Sequence, residues 1–138
     1  MEPPGSRPLF RKAAPLVGVV GPCGSGKSTL ITGLEKHGYT CRHIAQEHSY
    51  VPAMWKRIAK PDILIFLDAS FPISTARRKL TWQKQDHDEQ YRRLSHARQH
   101  ASLVIDTDPL TPEQVLKKAL DYLQSAANDR KAAEEIHP

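Results

Sequence analysis

The chain has 138 residues, 39% of them hydrophobic, with two cysteines and a net charge of +5 at pH 7. This length predicts one domain. No apolar run reaches the roughly 20 residues of a membrane span, and the N-terminus has no apolar signal-peptide core. We therefore expect a cytoplasmic protein. The positive charge favours anionic ligands, and because no nucleic-acid motif occurs and the basic residues are spread along the chain, small phosphorylated ligands are favoured over nucleic acid.

The first part of the chain predicts an arm, a buried strand and a helix. Residues 1–15 are rich in proline and mixed in charge, which is typical of a flexible arm. The run LVGVVG is apolar throughout, as expected of a strand that is buried on both faces of a parallel sheet. In the helix predicted next, Leu30, Ile31 and Leu34 share one face, and Gly38 is placed to end it.

The middle of the chain is less regular. YTCRHIAQEH predicts a second strand, and SYVPAMWKRIAK a short helix or irregular link that Pro52 interrupts. PDILIFLD is the clearest strand after the first and ends at Asp68. Pro72 is placed to begin a helix over FPISTARRKL, and the polar stretch TWQKQDHD predicts a loop.

The last part of the chain predicts a helix over EQYRRLSHARQHA, a buried strand over SLVIDTD and a helix over TPEQVLKKALDYL. Thr111 and Gln114 have capping-box spacing, with Pro112 at the first helical position. We expect residues 126–138 to fray, which leaves 16–125 as the folded domain. Strands that alternate with helices predict an α/β fold with a mainly parallel sheet of about four to five strands and helices on both faces.

One stretch, GPCGSGKST, has the G-x-x-x-x-G-K-S spacing of a phosphate-binding loop (Walker A) between a predicted strand and a predicted helix. Its backbone amides and the helix N-terminus would form a concave anion site. Lys27 would bridge the β- and γ-phosphates of ATP, and the Ser28 hydroxyl would bind Mg²⁺. The alternative is a glycine-rich turn that precedes a lysine by chance. The residues predicted to contact the nucleotide are Gly21, Pro22, Cys23, Gly24, Ser25, Gly26, Lys27, Ser28 and Thr29.

These segments resemble those of P-loop nucleoside and nucleotide kinases. KPDILIFLDASFPISTARRKL is similar to the strand and lid helix of thymidylate-kinase-like enzymes, and SLVIDTDPLTPEQVLKKALDYL to their last strand and C-terminal helix. The resemblance implies a three-layer P-loop NTPase fold. Such kinases usually have another strand and two or more helices, with an Asp-Arg pair for the acceptor, in the region where only about 14 residues separate His48 from Asp62 here.

Two acidic residues are candidates for the chemistry. Asp68 ends an apolar strand, as a Walker B acid does, and would hold Mg²⁺ through water; the alternative is an acid that caps the strand. Glu47 follows the second strand, at the edge that faces the loop, where related kinases contact the acceptor. It would act as general base or bind a hydroxyl; the alternative is a surface charge.

Two arginines occupy the position of the lid helix in the resemblance. Arg77 or Arg78 would stabilise charge on the γ-phosphate; the alternative is a solvated helix face. Arg92 and Arg93 are weaker candidates, because Glu89 lies three and four residues before them and would pair with them. The tryptophans, Trp55 and Trp82, are near the presumed ligand edges, and packing is the favoured interpretation of both.

The sequence therefore predicts a P-loop kinase-like protein that binds ATP with Mg²⁺ and transfers the γ-phosphoryl group to a small acceptor such as a nucleoside or nucleotide. The alternative is a nucleotide-binding or ATPase module with little or no kinase activity that acts through a protein partner. The shortened acceptor region favours the alternative, and the lid-like arginines favour the kinase.

Overall fold

The structure is a computed structural model that describes residues 15–70 and 84–136. The predicted arm, apart from its last residue, lies outside these ranges, as do the helix predicted to begin at Pro72 and the candidates Arg77, Arg78 and Trp82. The elements run in the order β1 (Leu16–Val20), α1 (Lys27–Lys36), β2 (Thr40–His43), a short 3₁₀ turn (Gln46–His48), α2 (Met54–Ile58), β3 (Ile63–Asp68), α3 (Lys84–His100), β4 (Leu103–Asp106) and α4 (Pro112–Ile136).

The four strands form one parallel sheet in the order β2-β1-β3-β4. In β1, Val19 pairs with His43 of β2 on one side and with Ile65 of β3 on the other. Between β3 and β4, the last residues of the two strands, Asp68 and Asp106, pair with each other. The predicted α/β class and parallel sheet are confirmed. Because all strands point the same way, the segments that follow β1 and β2 meet at one edge.

Alternate residues of the strands face two separate hydrophobic clusters. On one face Val19 and Ile65 pack with α1 and α4, which contribute fully or nearly fully buried side chains such as Leu34 and Leu123. On the other face Phe66 packs with α2 and α3 through a group of buried side chains that includes Trp55, Leu94 and Ala97. The period of two in each strand therefore places helices on both faces of the sheet.

The helix ends follow local chemistry in part. At the start of α4, the Thr111 backbone N–H donates to Gln114 Oε1 at 2.8 Å, and the Gln114 N–H donates to Thr111 Oγ1 at 3.2 Å. This confirms the predicted capping box, in which two otherwise unpaired amides are satisfied reciprocally. No helix within residues 15–70 and 84–136 combines the length and the apolarity needed to cross a lipid bilayer.

Three boundaries differ from the prediction. The loop predicted over TWQKQDHD is wrong from Lys84 onward, because α3 already begins there. His87 is buried and its Nε2 lies 3.1 Å from the Ala69 carbonyl oxygen, a contact with the end of β3 that the local sequence does not reveal. The second strand was predicted over YTCRHIAQEH but ends at His43. The last residues of that stretch, Gln46–His48, form the 3₁₀ turn instead. α4 runs past the predicted boundary to Ile136, through a stretch rich in alanine that also contains glutamate, arginine and lysine, all of which are strong helix formers.

Candidate functional site

The GPCGSGKST stretch connects β1 to α1 directly. β1 is buried along its apolar length, and the chain then turns through six residues before α1 begins at Lys27. Gly26 is the N-cap of α1 and has a φ of 95°, a conformation that costs little only for glycine. At Gly21 a Cβ atom would lie 2.4 Å from the backbone oxygen of Leu67, so the loop needs glycine where it passes β3.

Lys27 is the first residue of α1, and its ammonium group lies under the loop. It donates to the Gly21 carbonyl oxygen at 2.7 Å and to the Pro22 carbonyl oxygen at 3.2 Å. It also forms an ion pair with Glu47, with 2.7 Å between Nζ and Oε2. Both side chains are almost fully buried, at 6% and 3% exposure. The structure thus brings together two residues that the sequence predicted separately.

The segment after β2 places Glu47 beside the loop. The Gln46 side chain anchors this segment. Its Nε2 donates to the Val51 carbonyl oxygen at 2.9 Å, and its Oε1 accepts from the backbone N–H of Trp55 at 2.8 Å. From α3, the Arg93 guanidinium donates to the Glu47 carbonyl oxygen at 3.2 Å. These contacts fix the backbone around Glu47. The carboxylate therefore reaches Lys27 from a held position, not as a mobile surface charge.

A cavity of about 770 Å³ opens beside the loop. This volume is in the range of about 300–1,000 Å³ found for small-molecule sites. Ser28 and Thr29 are exposed on its wall, and the opposite wall is formed by the segment that follows β4. The lining residues are 23–30, His43, Glu47, His48, Thr107, Leu110, Pro112 and Val115.

Several polar groups of the loop have no internal partner. Within the described part of the chain, the backbone N–H groups of Gly24, Gly26, Lys27 and Ser28 have no hydrogen-bond acceptor. The Ser25 hydroxyl is buried and also lacks a partner there. Buried polar groups are normally satisfied by protein, water or ligand, and amides at a helix N-terminus are suited to an anion. The loop therefore has the donors that a phosphate group requires.

Cys23 is held in place from α3. Its backbone N–H donates to Gln90 Oε1 at 3.0 Å, and the Gln90 amide nitrogen donates back to Cys23 Sγ at 3.3 Å. On the other side, Sγ lies 3.8 Å from His48 Nε2. Gln90 is 7% exposed and Cys23 is half-buried, so both hydrogen bonds are partly buried. A single buried amide thus fixes the thiol of the loop.

Asp68 contacts Thr107, which lines the cavity, but is not itself a lining residue. Its Oδ2 is 3.6 Å from Arg98 of α3, and its carbonyl oxygen accepts from the backbone N–H and the hydroxyl of Thr107 at 2.8 and 2.9 Å. Burial raises the pKa of the Asp68 carboxyl above its usual value; Arg98 opposes this shift and Asp106 adds to it. Asp68 is not among the residues that line the cavity, so its predicted role at Mg²⁺ stays a prediction.

Histidine and cysteine on β2 have altered acid–base behaviour. Burial, followed by the charge of Lys27, lowers the pKa of His43, which favours the neutral imidazole at the cavity wall. Burial raises the pKa of the Cys41 thiol to about 11, with a further contribution from Glu35. The Cys41 thiol is therefore mostly protonated at neutral pH, so we expect it to react more slowly than an unperturbed thiol.

Some side chains around the site carry no local sequence signal. Gln90 and Arg93 support the loop and Glu47 from α3, yet in the sequence both lie within an ordinary polar helix. Glu89 forms ion pairs with Arg92 and Arg93, as predicted. Trp55 is buried against α3, with its indole N–H donating to His96 at 3.0 Å, so the packing interpretation of Trp55 is confirmed.

Searches of this chain against protein-family models and against curated proteins found no match.

Proposed function

We propose that the chain binds ATP at the β1–α1 loop and transfers the γ-phosphoryl group to a small hydroxyl- or phosphate-bearing acceptor. The observation that carries this proposal is the set of loop amides without a partner among the described residues, in a loop that lines the cavity and whose carbonyl groups hold the ammonium of Lys27. Backbone donors, a helix N-terminus and a lysine together suit a polyphosphate better than a single carboxylate.

The cavity volume of about 770 Å³ is large enough to take more than a phosphate. Its far wall includes Leu110, Pro112 and Val115, which offer apolar surface next to the hydroxyl of Thr107. A nucleobase needs such a wall for its flat face and a few polar groups at its edge. In the kinases that the sequence resembles, the loop after the last strand passes the adenine, and this is the loop that forms the wall here.

The transfer step follows from the positions of Lys27 and Glu47. An acceptor hydroxyl attacks the γ-phosphorus, the bond from that phosphorus to the β–γ bridging oxygen breaks, and ADP leaves. Glu47 takes the hydroxyl proton, and Lys27 neutralises charge on the β- and γ-phosphates. Because Glu47 Oε2 is 2.7 Å from Lys27, the phosphates would compete with this carboxylate for the ammonium. Nucleotide binding is thus expected to release the Glu47 carboxylate from Lys27, so that it can accept the proton.

Of the two residues predicted at Mg²⁺, Ser28 lines the cavity and Asp68 is not among its lining residues. Ser28 is exposed on the cavity wall at the start of α1, whereas Asp68 is paired with Arg98. Mg²⁺ commonly uses few protein ligands together with phosphate oxygens and water. Ser28 would therefore hold the ion together with the nucleotide. When bound, Mg²⁺ would supply charge neutralisation on the phosphates.

A second candidate function is a nucleotide-binding or ATPase module that acts through a protein partner. The observation that favours it is the shortness of the region after β2. β2 pairs directly with β1, and only the 3₁₀ turn and the five-residue α2 precede β3. This leaves little chain with which to enclose an acceptor.

Formation of ADP from Mg-ATP, measured alone and with a panel of nucleosides, nucleoside monophosphates and small sugars, separates the two functions. A kinase releases ADP only when an acceptor is present, and the active panel member names the substrate class. A module with ATPase activity releases ADP at the same rate without any acceptor. Binding of ATP with no ADP under any condition would contradict phosphoryl transfer.

Matched variants identify the site that is responsible. Lys27→Ala should abolish ADP formation, whereas Lys36→Ala, which removes an exposed lysine from the last turn of the same helix, should leave it unchanged. A joint Arg77→Ala and Arg78→Ala variant should lower turnover by about 10³-fold or more if either arginine stabilises the transferring phosphoryl group. Unchanged turnover in that variant would remove the predicted lid role.

A further inference from the structure

Three side chains with metal-binding atoms meet at the mouth of the cavity. Cys23 offers its sulfur, Glu47 a carboxylate oxygen and His48 a ring nitrogen, and within the described residues these atoms lie within 4.8 Å of one another. The proposed phosphoryl transfer uses neither Cys23 nor His48; it uses Glu47 as the base, so a metal ion on this carboxylate would compete with that role. A thiolate, an imidazole and a carboxylate form a mixed donor set that suits Zn²⁺ and related ions and does not suit Mg²⁺.

The parallel sheet explains why these residues meet. Cys23 lies in the loop after β1, and Glu47 and His48 lie in the turn after β2, and the two strands are neighbours that end at the same edge. The Gln90 amide donates to Cys23 Sγ at 3.3 Å and so restrains the sulfur, which lies 3.8 Å from His48 Nε2 in the turn. Hydrogen bonds of this kind to a metal ligand fix its position and strengthen a site.

Two of the three distances between ligand atoms are close to those of a tetrahedral centre, and the third, between Cys23 and Glu47, is within 4.8 Å. Metal bonds of about 2.0–2.3 Å separate neighbouring ligand atoms by about 3.3–3.6 Å. Here His48 Nε2 is 3.8 Å from Cys23 Sγ and 4.0 Å from Glu47 Oε2. The His48 side chain is 61% exposed, so a small rotation of its ring can shorten both distances at little cost.

The carboxylate has capacity for a second cation. Lys27 occupies Glu47 Oε2, while Oε1 is buried and has no hydrogen-bond partner within the described residues. A buried carboxylate oxygen without a partner is costly, and a metal ion would relieve that cost. The oxygen that lies 4.0 Å from His48 Nε2 is Oε2, so a metal ion bound through this atom would share it with the Lys27 ammonium.

We propose that Cys23, Glu47 and His48 bind one tetrahedral transition-metal ion of the Zn²⁺ class, with the fourth ligand position open to the cavity. The site requires only these three side chains and does not depend on nucleotide binding. Its ion would lie on the wall of the phosphate loop.

Cobalt is the probe for the test, because Co²⁺ bound to a thiolate absorbs in the near ultraviolet and Zn²⁺ displaces it without absorbing. The full chain, reduced and stripped of metal, is titrated with Co²⁺. We expect a saturable sulfur-to-cobalt band at one ion per chain, removed by one equivalent of Zn²⁺ and retained in excess Mg²⁺. Absence of the band, or its loss on adding Mg²⁺, would overturn the proposal.

Three variants assign the ligands. Cys23→Ser should remove the band, and His48→Gln should weaken Co²⁺ binding by at least about tenfold. Cys41→Ser is the matched control and should retain both the band and the affinity, since Cys41 is not part of the cluster. A band that survives in Cys23→Ser, or unchanged affinity in His48→Gln, would contradict the assignment.

One further measurement does not depend on how the Cys23→Ser variant folds. In the wild-type chain, Zn²⁺ should protect Cys23 from alkylation by iodoacetamide and leave Cys41 unaffected, as read by mass spectrometry of the two peptides. Equal alkylation of Cys23 with and without Zn²⁺ would overturn the proposal. Because no nucleotide is added, this result is independent of whether the chain transfers phosphate.

Discussion

The buried ion pair between Lys27 and Glu47 gives the sharpest prediction for stability. Lys27→Met keeps an unbranched apolar side chain but leaves the Glu47 carboxylate, which is 3% exposed, without its cation. Removing one partner of a buried pair costs about 3–5 kcal/mol. With an unfolding entropy of about 2.1 cal/mol/K per residue, a chain of 138 residues should lose about 10–17 °C in Tm.

The assay is urea unfolding at pH 7, followed by far-ultraviolet circular dichroism, for both single variants and the double variant. Lys27→Met with Glu47→Gln removes the unpaired charge, so we expect it to recover at least about 2 kcal/mol of the loss. Lys117→Met is the control, because its pair with Asp121 is exposed and should be worth less than about 1 kcal/mol. A Lys27→Met cost below 1 kcal/mol, or single costs that add without coupling, would refute the reasoning.

Three smaller changes test other parts of the structure. Gly21→Ala should lower the free energy of unfolding in urea by about 3 kcal/mol or more, because the alanine Cβ would lie 2.4 Å from the backbone oxygen of Leu67. An unchanged free energy of unfolding would contradict this packing. Burial raises the pKa of Asp68, so its ionised form is disfavoured in the folded chain and wild-type stability carries a penalty that appears as pH rises above about 4. The stability of Asp68→Asn relative to wild type should therefore increase as the pH rises above about 4. A stability difference that does not vary with pH would contradict a raised pKa of Asp68. Thr111→Ala should cost about 1 kcal/mol through loss of the capping box with Gln114, and an unchanged urea midpoint would show that the cap is unimportant.

The parts of the fold that follow from local patterns were predictable. β1 and β3 are apolar runs because both of their faces are covered, and such runs are visible in any sequence. The positions of two loop glycines have local causes. A side chain at Gly21 would collide with the backbone of Leu67, and Gly26 is the N-cap of α1 with a positive φ. The start of α4 was predictable since a capping box involves only residues three positions apart.

The contacts that shape the site were not predictable in the same way. The ion pair of Lys27 with Glu47 joins residues that are 20 positions apart, and the Gln90 contact with Cys23 joins residues 67 positions apart. No local pattern distinguishes Gln90 from the other polar residues of α3. His87, in the first turn of that helix, likewise contacts the carbonyl oxygen of Ala69, directly after β3 and 18 positions earlier in the chain. Side chains whose role is set by tertiary contact leave no periodic signal.

The central claim is that the loop binds the phosphates of a nucleotide, and calorimetric titration of the chain with Mg-ATP tests it most directly. We expect wild type and Lys36→Ala to bind one nucleotide with the same affinity. The double variant Lys27→Met with Glu47→Gln, which removes the ammonium without leaving an unpaired buried charge, should bind at least about tenfold more weakly, since a hydrogen bond to a charged group contributes about 1.5–3 kcal/mol. No heat of binding in the wild type, or equal affinity in the folded double variant, would contradict nucleotide binding at this loop.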